Sequence, residues 1–294
     1  MNERASSGQR SDGQRTLREP LRFSGVGLHT GNDARATVEP AEPGTGLVFV
    51  VENGITIPAL AEFVVDTSRA TVLGRDGARV STVEHLLSAL RGMGIDNARI
   101  AIAGGEVPAM EGSAKTFADA IHAAGTVSSD VPRRTFRPDR AMGFRDDDKT
   151  VAIIPSIAWR IKFTVVYPAP IGTQYFEAEI TPELYRSQIA PARTFGYLHE
   201  VEALLARGLA RGGSLENAIV FAPDGPMQPL QWPDEPVRHK VLDMIGDFAL
   251  LGMYPQCEVV ALKSGHKLHA AVMAELRTSS KVGDHIVESG QNQQ

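Results

Sequence analysis

Cysteine is nearly absent from this 294-residue chain, in which Cys257 is the single example. An intrachain disulfide and a structural zinc cluster of thiolates both need several cysteines, so both are excluded. Any metal ion that this protein binds must therefore be held by imidazole and carboxylate groups.

Long apolar runs are also missing. No segment approaches the roughly 20 apolar residues that a membrane-spanning helix needs, and the N-terminal sequence MNERASSGQRSDGQR lacks the apolar core of a signal peptide. We therefore expect a cytoplasmic protein without a transmembrane segment. Residues 1–14 are rich in Ser, Gly, Gln and charged groups, which cannot offset the entropy of ordering, so a disordered tail is expected there.

Neither sign of charge dominates the chain. With 30 basic and 35 acidic side chains, the formal net charge is −5. This balance argues against a nucleic-acid binder, and it leaves room for a local basic pocket that binds a small phosphate-bearing molecule. At 43% hydrophobic and 22% charged residues, the composition is typical of a soluble globular protein, and the length favours two domains.

Short apolar stretches that alternate with polar residues predict strands in both halves of the chain. In chain order they are 36–38, 46–51, 97–104, 150–155, 159–167 and 217–221. Because helical patterns lie between these strands, the sequence indicates an α+β fold, and the two halves could share one plan.

Helical periodicity predicts four helices. In STVEHLLSALRGMG (81–94), Ser81 and Glu84 have the spacing of a capping box before an apolar stripe, so the helix is predicted to begin at Ser81. The other three helices are predicted at 116–125, 198–207 and 235–252. In the last of these, Pro236 fits the first turn and Gly252 fits the end.

Residues 126–140 contain two prolines, a cluster of charges and no periodicity. These features are typical of a connection between domains. We therefore predict a first α+β domain at 15–133, a second at 134–280 and a C-terminal tail at 281–294.

The predicted helix at 235–252 carries His239, Asp243 and Asp247 at successive i, i+4 steps, so all three side chains lie near one face. An imidazole and a carboxylate at this spacing suit zinc, whose catalytic sites use three protein ligands and leave a fourth position for water. One more histidine is needed. Alone, the pattern favours an ordinary His–Asp pair on a helix surface.

Glu84 and His85 offer the missing groups. Adjacent residues on a helix point about 100° apart, so one could bind the metal while the other acts beside it. A carboxylate near zinc is the usual general base of metal-assisted hydrolysis. Alternatively, Glu84 only caps its helix and His85 is an ordinary imidazole. The arrangement also differs from the His-Glu-x-x-His pattern of metalloproteases, which has both imidazoles on one helix.

Two further polar segments contain histidines. LKSGHKLH (262–269) predicts a short turn in which His266 could act as a general acid, while Lys263 and Lys240 could meet a diphosphate as mobile charges. SGVGLHTG, around His29, resembles a phosphate-binding loop but lacks the G-x-G-x-x-G spacing and the lysine of such loops. A solvated turn at the end of a strand is the alternative for the first segment.

Eight separated segments, each weak alone, occur in the order typical of one enzyme family. They are GVGLHTG (25–31), VSTVEHL (80–86), GIDN (94–97), EGSA (111–114), ARTFG (192–196), GGSLENAIV (212–220), VRHKVLDMIGD (237–247) and KSGH (263–266). Together they resemble the UDP-3-O-acyl-N-acetylglucosamine deacetylases, zinc enzymes of lipid A synthesis in Gram-negative bacteria. The resemblance extends from about Gln14 to about Glu275.

The resemblance implies two α+β domains, each layering helices against a small sheet, with the active site at their junction. It implies one catalytic zinc ion held by His85, His239 and Asp243. The implied reaction is hydrolysis of the N-acetyl group of UDP-3-O-[(3R)-3-hydroxyacyl]-N-acetylglucosamine, which gives the free amine and acetate in the committed step of lipid A synthesis. The expected partner is therefore this small-molecule substrate, and the expected state is a monomer.

The resemblance also implies roles for side chains around the zinc. Glu84 would be the base that activates water, and His266, oriented by Asp247, would stabilise the tetrahedral intermediate and protonate the leaving amine. Thr194 would donate a hydrogen bond to the oxyanion. Contacts with the substrate are implied for Lys240, Lys263, Gly265, Tyr167, Phe195 and His29, of which Tyr167 would stack on uracil.

A βαβ-like unit inserted at about 195–222 is implied to shelter the acyl chain. The matching apolar positions are Leu198, Val201, Ala210, Leu215, Ala218 and Val220. The alternative is that these residues pack a small local core. Two other functions also stay open: a zinc amidohydrolase of the same fold acting on another N-acyl sugar, and a sugar-nucleotide binding protein without catalysis. The complete set of candidate catalytic residues weighs against the second.

Overall fold

The computed structural model describes residues 13–206, 208 and 210–282. The strands of the first half are β1 (Gly13–Leu17), β2 (Leu21–Val26), β3 (Asp33–Pro40), β4 (Leu47–Val51), β5 (Thr56–Pro58), β6 (Val64–Asp66), β7 (Val72–Arg75), β8 (Ala78–Val80), β9 (Ala98–Ala103) and β10 (Thr126–Pro132). Its helices are α1 (Glu84–Gly92) and α2 (Lys115–Ala124), and a 3-10 turn lies at Ala61–Phe63.

The strands of the second half are β11 (Thr135–Phe136), β12 (Met142–Asp146), β13 (Lys149–Pro155), β14 (Arg160–Val166), β15 (Thr173–Glu179), β16 (Phe195–Tyr197), β17 (Ile219–Ala222), β18 (Gly225–Pro226), β19 (Tyr254–Pro255) and β20 (Cys257–Leu262). Its helices are α3 (Pro182–Leu184), which continues as a π-turn at Tyr185–Ile189, α4 (Leu198–Ala206), α5 (Glu235–Phe248) and α6 (His266–Val282). A 3-10 turn at Ala249–Leu251 extends α5. None of the helices in these described ranges is long and apolar enough to cross a bilayer.

Each half is built on a five-stranded sheet, and the two sheets have the same plan. The strand orders are β2-β3-β9-β4-β5 and β12-β13-β20-β14-β15. The central strand, β9 or β20, pairs antiparallel with one neighbour and parallel with the other in both sheets. Each central strand follows a helix, α1 or α5, and precedes another, α2 or α6. The predicted α+β class and the shared plan are therefore confirmed.

Helices α1 and α5 pack against each other where the two halves meet. Every residue of α1 is buried, and the hydroxyl of Ser88 donates a hydrogen bond to the carbonyl oxygen of Leu242 at 2.7 Å. A Cβ atom at Gly246 would lie only 2.1 Å from the carbonyl oxygen of Glu84, so only glycine permits this approach. Buried residues of both sheets and of these helices form one continuous core.

Each half also carries a small three-stranded sheet inserted at the same point of the plan, directly before the junction helix. In the first half β6, β7 and β8 form an antiparallel sheet. In the second half β16 and β17 pair in parallel with α4 between them, and β18 completes the sheet. The second insertion is therefore a β-α-β unit, whereas the first is a plain meander.

The predicted capping box at the start of α1 is wrong. The helix begins at Glu84, its N-cap is Val83, and no side chain caps it. Thr82 has a φ of 56°, which interrupts the helical backbone between Ser81 and the first turn. The Glu84 carboxylate instead accepts the backbone N–H of Thr71 at 3.0 Å. The Glu84 carboxylate therefore makes a tertiary contact with Thr71 instead of the local capping contact with Ser81 that the sequence predicts.

Both predicted tails and the connection at 126–140 also differ from expectation where the structure describes them. Gly13 and Gln14 belong to β1, which pairs with β10 inside the predicted connection. Gln14 is buried because Pro132 and Asn97 satisfy its amide, whose Nε2 donates to the Pro132 carbonyl at 3.1 Å and whose Oε1 accepts from Asn97 Nδ2 at 3.0 Å. The first two residues of the predicted C-terminal tail lie in α6. Residues 1–12 and 283–294 lie outside the described residues.

The remaining predicted elements agree with the structure within a few residues. Gly125 ends α2 with a φ of 76°, and Pro236 lies in the first turn of α5. Gly252, with a φ of 73°, ends the 3-10 turn that follows α5. The last predicted residue of α4, at 207, lies outside the described residues. Helix α6 is not among the predicted helices: LKSGHKLH predicts only a polar turn at 262–269, whereas α6 begins at His266.

Candidate active site and metal centre

His85, His239 and Asp243 converge from α1 and α5 at the junction of the two halves. One ligand atom of each lies within 4.8 Å of the others, and all three side chains are buried. Asp243 Oδ1 is 3.6 Å from His85 Nε2 and 3.4 Å from His239 Nε2. The two imidazole rings meet edge to face, with centroids 5.0 Å apart. This group could hold a metal ion.

The protonation states of this cluster suit a cation. Burial lowers the pKa of His239 to about 4, so the ring is neutral at pH 7. Its Nδ1 is 3.0 Å from the Ala192 carbonyl oxygen, which can only accept, so Nε2 keeps its lone pair for the cluster. Burial raises the pKa of Asp243, but the charge of Lys240, together with the other neighbouring groups, outweighs burial and holds that pKa well below its usual range. Neutral imidazole and ionised carboxylate are the forms that bind metals.

Glu84 and His266 flank the cluster. His266 Nε2 is 3.9 Å from Glu84 Oε1 and 3.9 Å from Asp243 Oδ2. Burial raises the pKa of Glu84 above its usual value. A carboxylate with a raised pKa is a better proton acceptor near neutral pH, as general-base catalysis requires.

Asp247 lies behind His266 and orients it. Its Oδ2 is 2.8 Å from His266 Nδ1, and its Oδ1 accepts the hydroxyl of Thr71 at 2.6 Å. Burial lowers the pKa of His266, but the Asp247 carboxylate outweighs burial and raises the pKa to about 9. The imidazole is therefore charged at pH 7, and it can stabilise an anion or give up a proton through Nε2.

The cluster lies in the wall of a cavity of about 930 Å³. Every site residue predicted from the sequence lines this cavity except Asp247, which lies behind His266. Near the cluster, the lining residues among those predicted are Glu84, His85, His239, Asp243, His266, Thr194, Tyr167, Phe195, Lys240, Lys263, Gly265 and His29. The structure thus brings together groups from both halves that are up to 237 positions apart in the sequence, from His29 to His266.

The six residues predicted for an acyl passage all lie along the same cavity: Leu198, Val201, Ala210, Leu215, Ala218 and Val220. None of them belongs to the small core of the inserted unit, which is formed by Ile171, Tyr197, Ile219 and Phe221. Along β17 the side chains alternate: Ile219 and Phe221 pack into that core, although Ile219 also borders the cavity, which Val220 lines from the other face of the strand. Leu198 and Leu215 are 45% and 52% exposed, which argues against a packed core at these positions.

The two lysines predicted as mobile charges are paired instead. Lys240 Nζ lies 2.6 Å from Asp243 Oδ2, and Lys263 donates to Asp148. The partner of Lys240 lies one turn further along α5, and that of Lys263 lies in the loop between β12 and β13. Both lysines still line the cavity.

The ARTFG segment is fixed on α5. The guanidinium of Arg193 donates twice to the fully buried Glu235 carboxylate, at 2.9 and 3.1 Å. The backbone N–H of Thr194 donates to the Gly112 carbonyl oxygen at 2.7 Å. Phe195 meets Tyr167 edge to face, with ring centroids 5.4 Å apart. These contacts hold the Thr194–Phe195 edge of the cavity in place.

His29 enters the cavity on a turn that a buried carboxylate holds. Glu106 is fully buried and accepts the backbone N–H groups of His29 and Thr30 at 3.0 Å. It also accepts the hydroxyl of Thr82 at 2.8 Å, two residues before α1. Nδ1 of His29 is buried and has no hydrogen-bond partner within the described ranges.

Sequence reasoning missed Thr71, Glu106 and His269, which contact the predicted site residues from other segments. Thr71 and Glu106 are not part of any recognisable catalytic or metal-binding motif, so the local sequence gives no indication that they contact the site. His269 follows His266 by three positions, and this spacing would have been informative only if α6 had been predicted.

Comparison with known proteins agrees with this site. A family model described as UDP-3-O-acyl N-acetylglycosamine deacetylase (LpxC) matches residues 14–278. A UDP-3-O-acyl-N-acetylglucosamine deacetylase of Syntrophotalea carbinolica is 43% identical over 284 residues, which are 95% of this chain and 92% of that protein. The protein of the same name from Myxococcus xanthus is 47% identical over 266 residues, which are 87% of this chain and 83% of that protein. The resemblance seen in eight short segments is thereby confirmed, and this chain belongs to the UDP-3-O-acyl N-acetylglycosamine deacetylase family.

Proposed function

We propose that this chain is a zinc-dependent deacetylase that hydrolyses the N-acetyl group of UDP-3-O-[(3R)-3-hydroxyacyl]-N-acetylglucosamine, the committed step of lipid A synthesis. The observation that carries the proposal is the convergence of His85, His239 and Asp243 beside Glu84 and His266 in the wall of one cavity. Family membership supports the substrate, because the relatives are named for this deacetylation.

The donor set fits zinc. Two imidazoles and one carboxylate are a usual ligand set of catalytic zinc sites, which leave a further position open. The Ala192 carbonyl fixes the His239 ring through Nδ1, as outer partners of metal-binding histidines do. When bound, zinc would supply Lewis acidity at the amide carbonyl and lower the pKa of water beside it.

In this proposal the chain's own residues move two protons. Glu84 takes a proton from the attacking water through Oε1, because its Oε2 accepts the Thr71 N–H. As the new C–O bond forms, the developing negative charge lies near His266 and the hydroxyl of Thr194. His266 then gives the proton on Nε2 to the leaving nitrogen, the C–N bond breaks, and acetate and the free amine result.

The cavity provides for the rest of the substrate. We propose that the acyl chain lies along Leu198, Val201 and the neighbouring apolar residues of the β-α-β unit, with its end near the exposed Leu215. Lys240, Lys263, Gly265 and His29 would meet the sugar and diphosphate, while Tyr167 and Phe195 would meet the uracil. We further propose one zinc ion per chain, a monomer, and the cytoplasm as location.

Metal analysis together with acetate release tests the proposal. The purified protein should contain zinc and release acetate from the acylated UDP-sugar, much faster than from UDP-N-acetylglucosamine without the acyl chain. Release of acetate from other N-acyl sugars at the same rate would contradict the proposed substrate. Binding of the acylated UDP-sugar without acetate release would contradict the proposed catalysis.

A further inference from the structure

His269 is a buried imidazole to which the proposed reaction assigns no step. It lies on α6, three residues after His266, and is fully shielded from solvent. Its ring meets Phe163 and Phe248 edge to face, with centroids 6.3 and 6.1 Å away. A polar ring between two phenyl rings destabilises the fold unless both of its nitrogens are hydrogen-bonded.

Both nitrogens of His269 are hydrogen-bonded, and the partners fix the tautomer. Nδ1 is 2.8 Å from Asp247 Oδ2, and Nε2 is 2.8 Å from the hydroxyl oxygen of Ser264. The ionised carboxylate can only accept, so Nδ1 carries the proton and Nε2 accepts the proton of Ser264. Burial lowers the pKa of His269, which agrees with a neutral ring.

The same carboxylate oxygen serves two histidines. Asp247 Oδ2 is 2.8 Å from both His266 Nδ1 and His269 Nδ1, while Oδ1 accepts from Thr71. The carboxylate therefore has donors on both oxygens and cannot rotate without breaking at least one bond. Two of these donors, Thr71 and His269, are completely buried.

His269 also holds the backbone that leads into His266. Its Nε2 accepts from Ser264, two residues before His266, and its backbone N–H donates to the Gly265 carbonyl oxygen at 3.0 Å. The His269 ring thus contacts both the carboxylate that orients the His266 ring and, through Ser264, the turn that carries the Cα atom of His266; the backbone bond to Gly265 belongs to the first turn of α6 and does not depend on the side chain.

We propose that His269 is a positioning residue, which aims the His266 ring at the cavity by fixing Asp247 on one side and Ser264 on the other. The inference rests on the proposed role of His266 in proton transfer. Without the His269 donor, Asp247 keeps only Thr71 and His266 itself, so the carboxylate and the imidazole it orients can move together away from the scissile bond.

Two matched substitutions separate this role from simple packing. In His269→Asn the side-chain NH₂ can take the place of Nδ1–H and donate to Asp247, whereas His269→Leu fills a similar volume and donates nothing. We expect His269→Leu to lower kcat by about 10- to 100-fold, by analogy with the loss of outer partners of metal-binding histidines. KM and zinc content should stay near the wild-type values, and His269→Asn should restore most of the lost kcat.

A stability control and a reference variant complete the experiment. Ile153→Ala, in the core of β13, should lower the melting temperature without lowering kcat, because Ile153 is fully buried and does not line the cavity. Equal kcat for His269→Leu and wild type would overturn the proposal, and so would equal losses for the Leu and Asn variants. If the wild type itself released no acetate, the proposed function would fail instead.

Histidine ¹⁵N NMR of the zinc-loaded wild type tests the inference independently of activity and of how well His269→Leu folds. The His269 signals, assigned by their disappearance in His269→Asn, should show a neutral ring protonated at Nδ1, which is the less common tautomer. A ring protonated at Nε2 would overturn the proposal, because such a ring cannot donate to Asp247.

Discussion

The two halves of this protein share a sheet plan but contribute differently to the site. From the first half, α1 supplies two adjacent residues of its first turn, Glu84 and His85. From the second half, α5 supplies three residues of one face, His239, Asp243 and Asp247. The candidate ligand set takes His85 from the first half and His239 and Asp243 from the second, so the candidate metal centre exists only where the halves pack together.

The small sheets inserted before α1 and α5 also contribute differently to the site. The segment between β6 and β7 brings Thr71 to the Asp247 and Glu84 carboxylates, so the first insertion supports the carboxylates beside the candidate metal centre. The β-α-β unit of the second half instead extends the cavity with apolar side chains. The two insertions occupy equivalent positions before α1 and α5, yet the first provides polar contacts to the site and the second provides an apolar groove.

The largest expected effect comes from removing a ligand that the second half contributes. His239→Ala leaves one imidazole in the cluster, so we expect zinc content to fall well below stoichiometric and deacetylation to fall to background. Metal analysis and acetate release on the same sample measure both. His266→Ala is the matched control, because it removes an imidazole of the same junction and should keep the zinc. Stoichiometric zinc in His239→Ala would contradict the ligand set.

The next effect concerns the first half, whose Glu84 should be needed for turnover and not for metal binding. In Glu84→Gln the amide oxygen still accepts the Thr71 N–H, but the group can no longer take a proton. We expect zinc to be retained and kcat to fall by about 10²- to 10⁴-fold. Near-wild-type turnover would exclude Glu84 as the main base. The proton-transferring groups would then all come from the second half of the chain.

A smaller effect is expected from blocking the groove of the second insertion. Ala218→Phe should fill the cavity beside β17 and raise KM for the acylated substrate. Exclusion of only two methylenes, at about 0.8 kcal/mol each, already corresponds to roughly tenfold in affinity, and a longer tail would lose several kcal/mol. Zinc content and melting temperature should be nearly unchanged.

Ala222→Phe makes the same substitution at the end of β17, outside the cavity lining, and should leave that KM unchanged. If Ala218→Phe melts early and keeps its KM for the acylated substrate, the segment is a packed core and the passage is wrong. Overpacking of a core typically costs about 1 to 3 kcal/mol of stability.

The smallest effect is expected at the contact between the halves. Gly246→Ala introduces a Cβ atom 2.1 Å from the Glu84 carbonyl oxygen, so α1 and α5 must separate. We expect a loss of about 1 to 3 kcal/mol from overpacking, offset in part by roughly 1 kcal/mol of helix propensity. Denaturant unfolding measures the change. Gly143→Ala in β12 is the control, because its Cβ would meet nothing within 4 Å; equal stabilities would show that the junction tolerates the methyl group.

The helix ends that the sequence predicts correctly are those determined by the backbone preferences of nearby residues. Gly125 ends α2 and Pro236 lies in the first turn of α5 because their backbone preferences act within one turn. The start of α1 could not be predicted, since Thr71 takes the Glu84 carboxylate that a capping box would use. The pairing of β1 with β10 was missed for a similar reason: its partners, such as Leu17 and Thr126, are distant in sequence.

By itself, the sequence determined the chemistry that is available. It excluded thiolate ligands, aligned His239, Asp243 and Asp247 on one helix face, and carried the ordered segments by which family membership is recognised. Tertiary structure alone decided that His85 meets His239 and that His269 shares Asp247 with His266. The reason is physical: helix periodicity fixes which side chains share a face, whereas contacts between helices depend on packing and burial across the whole chain.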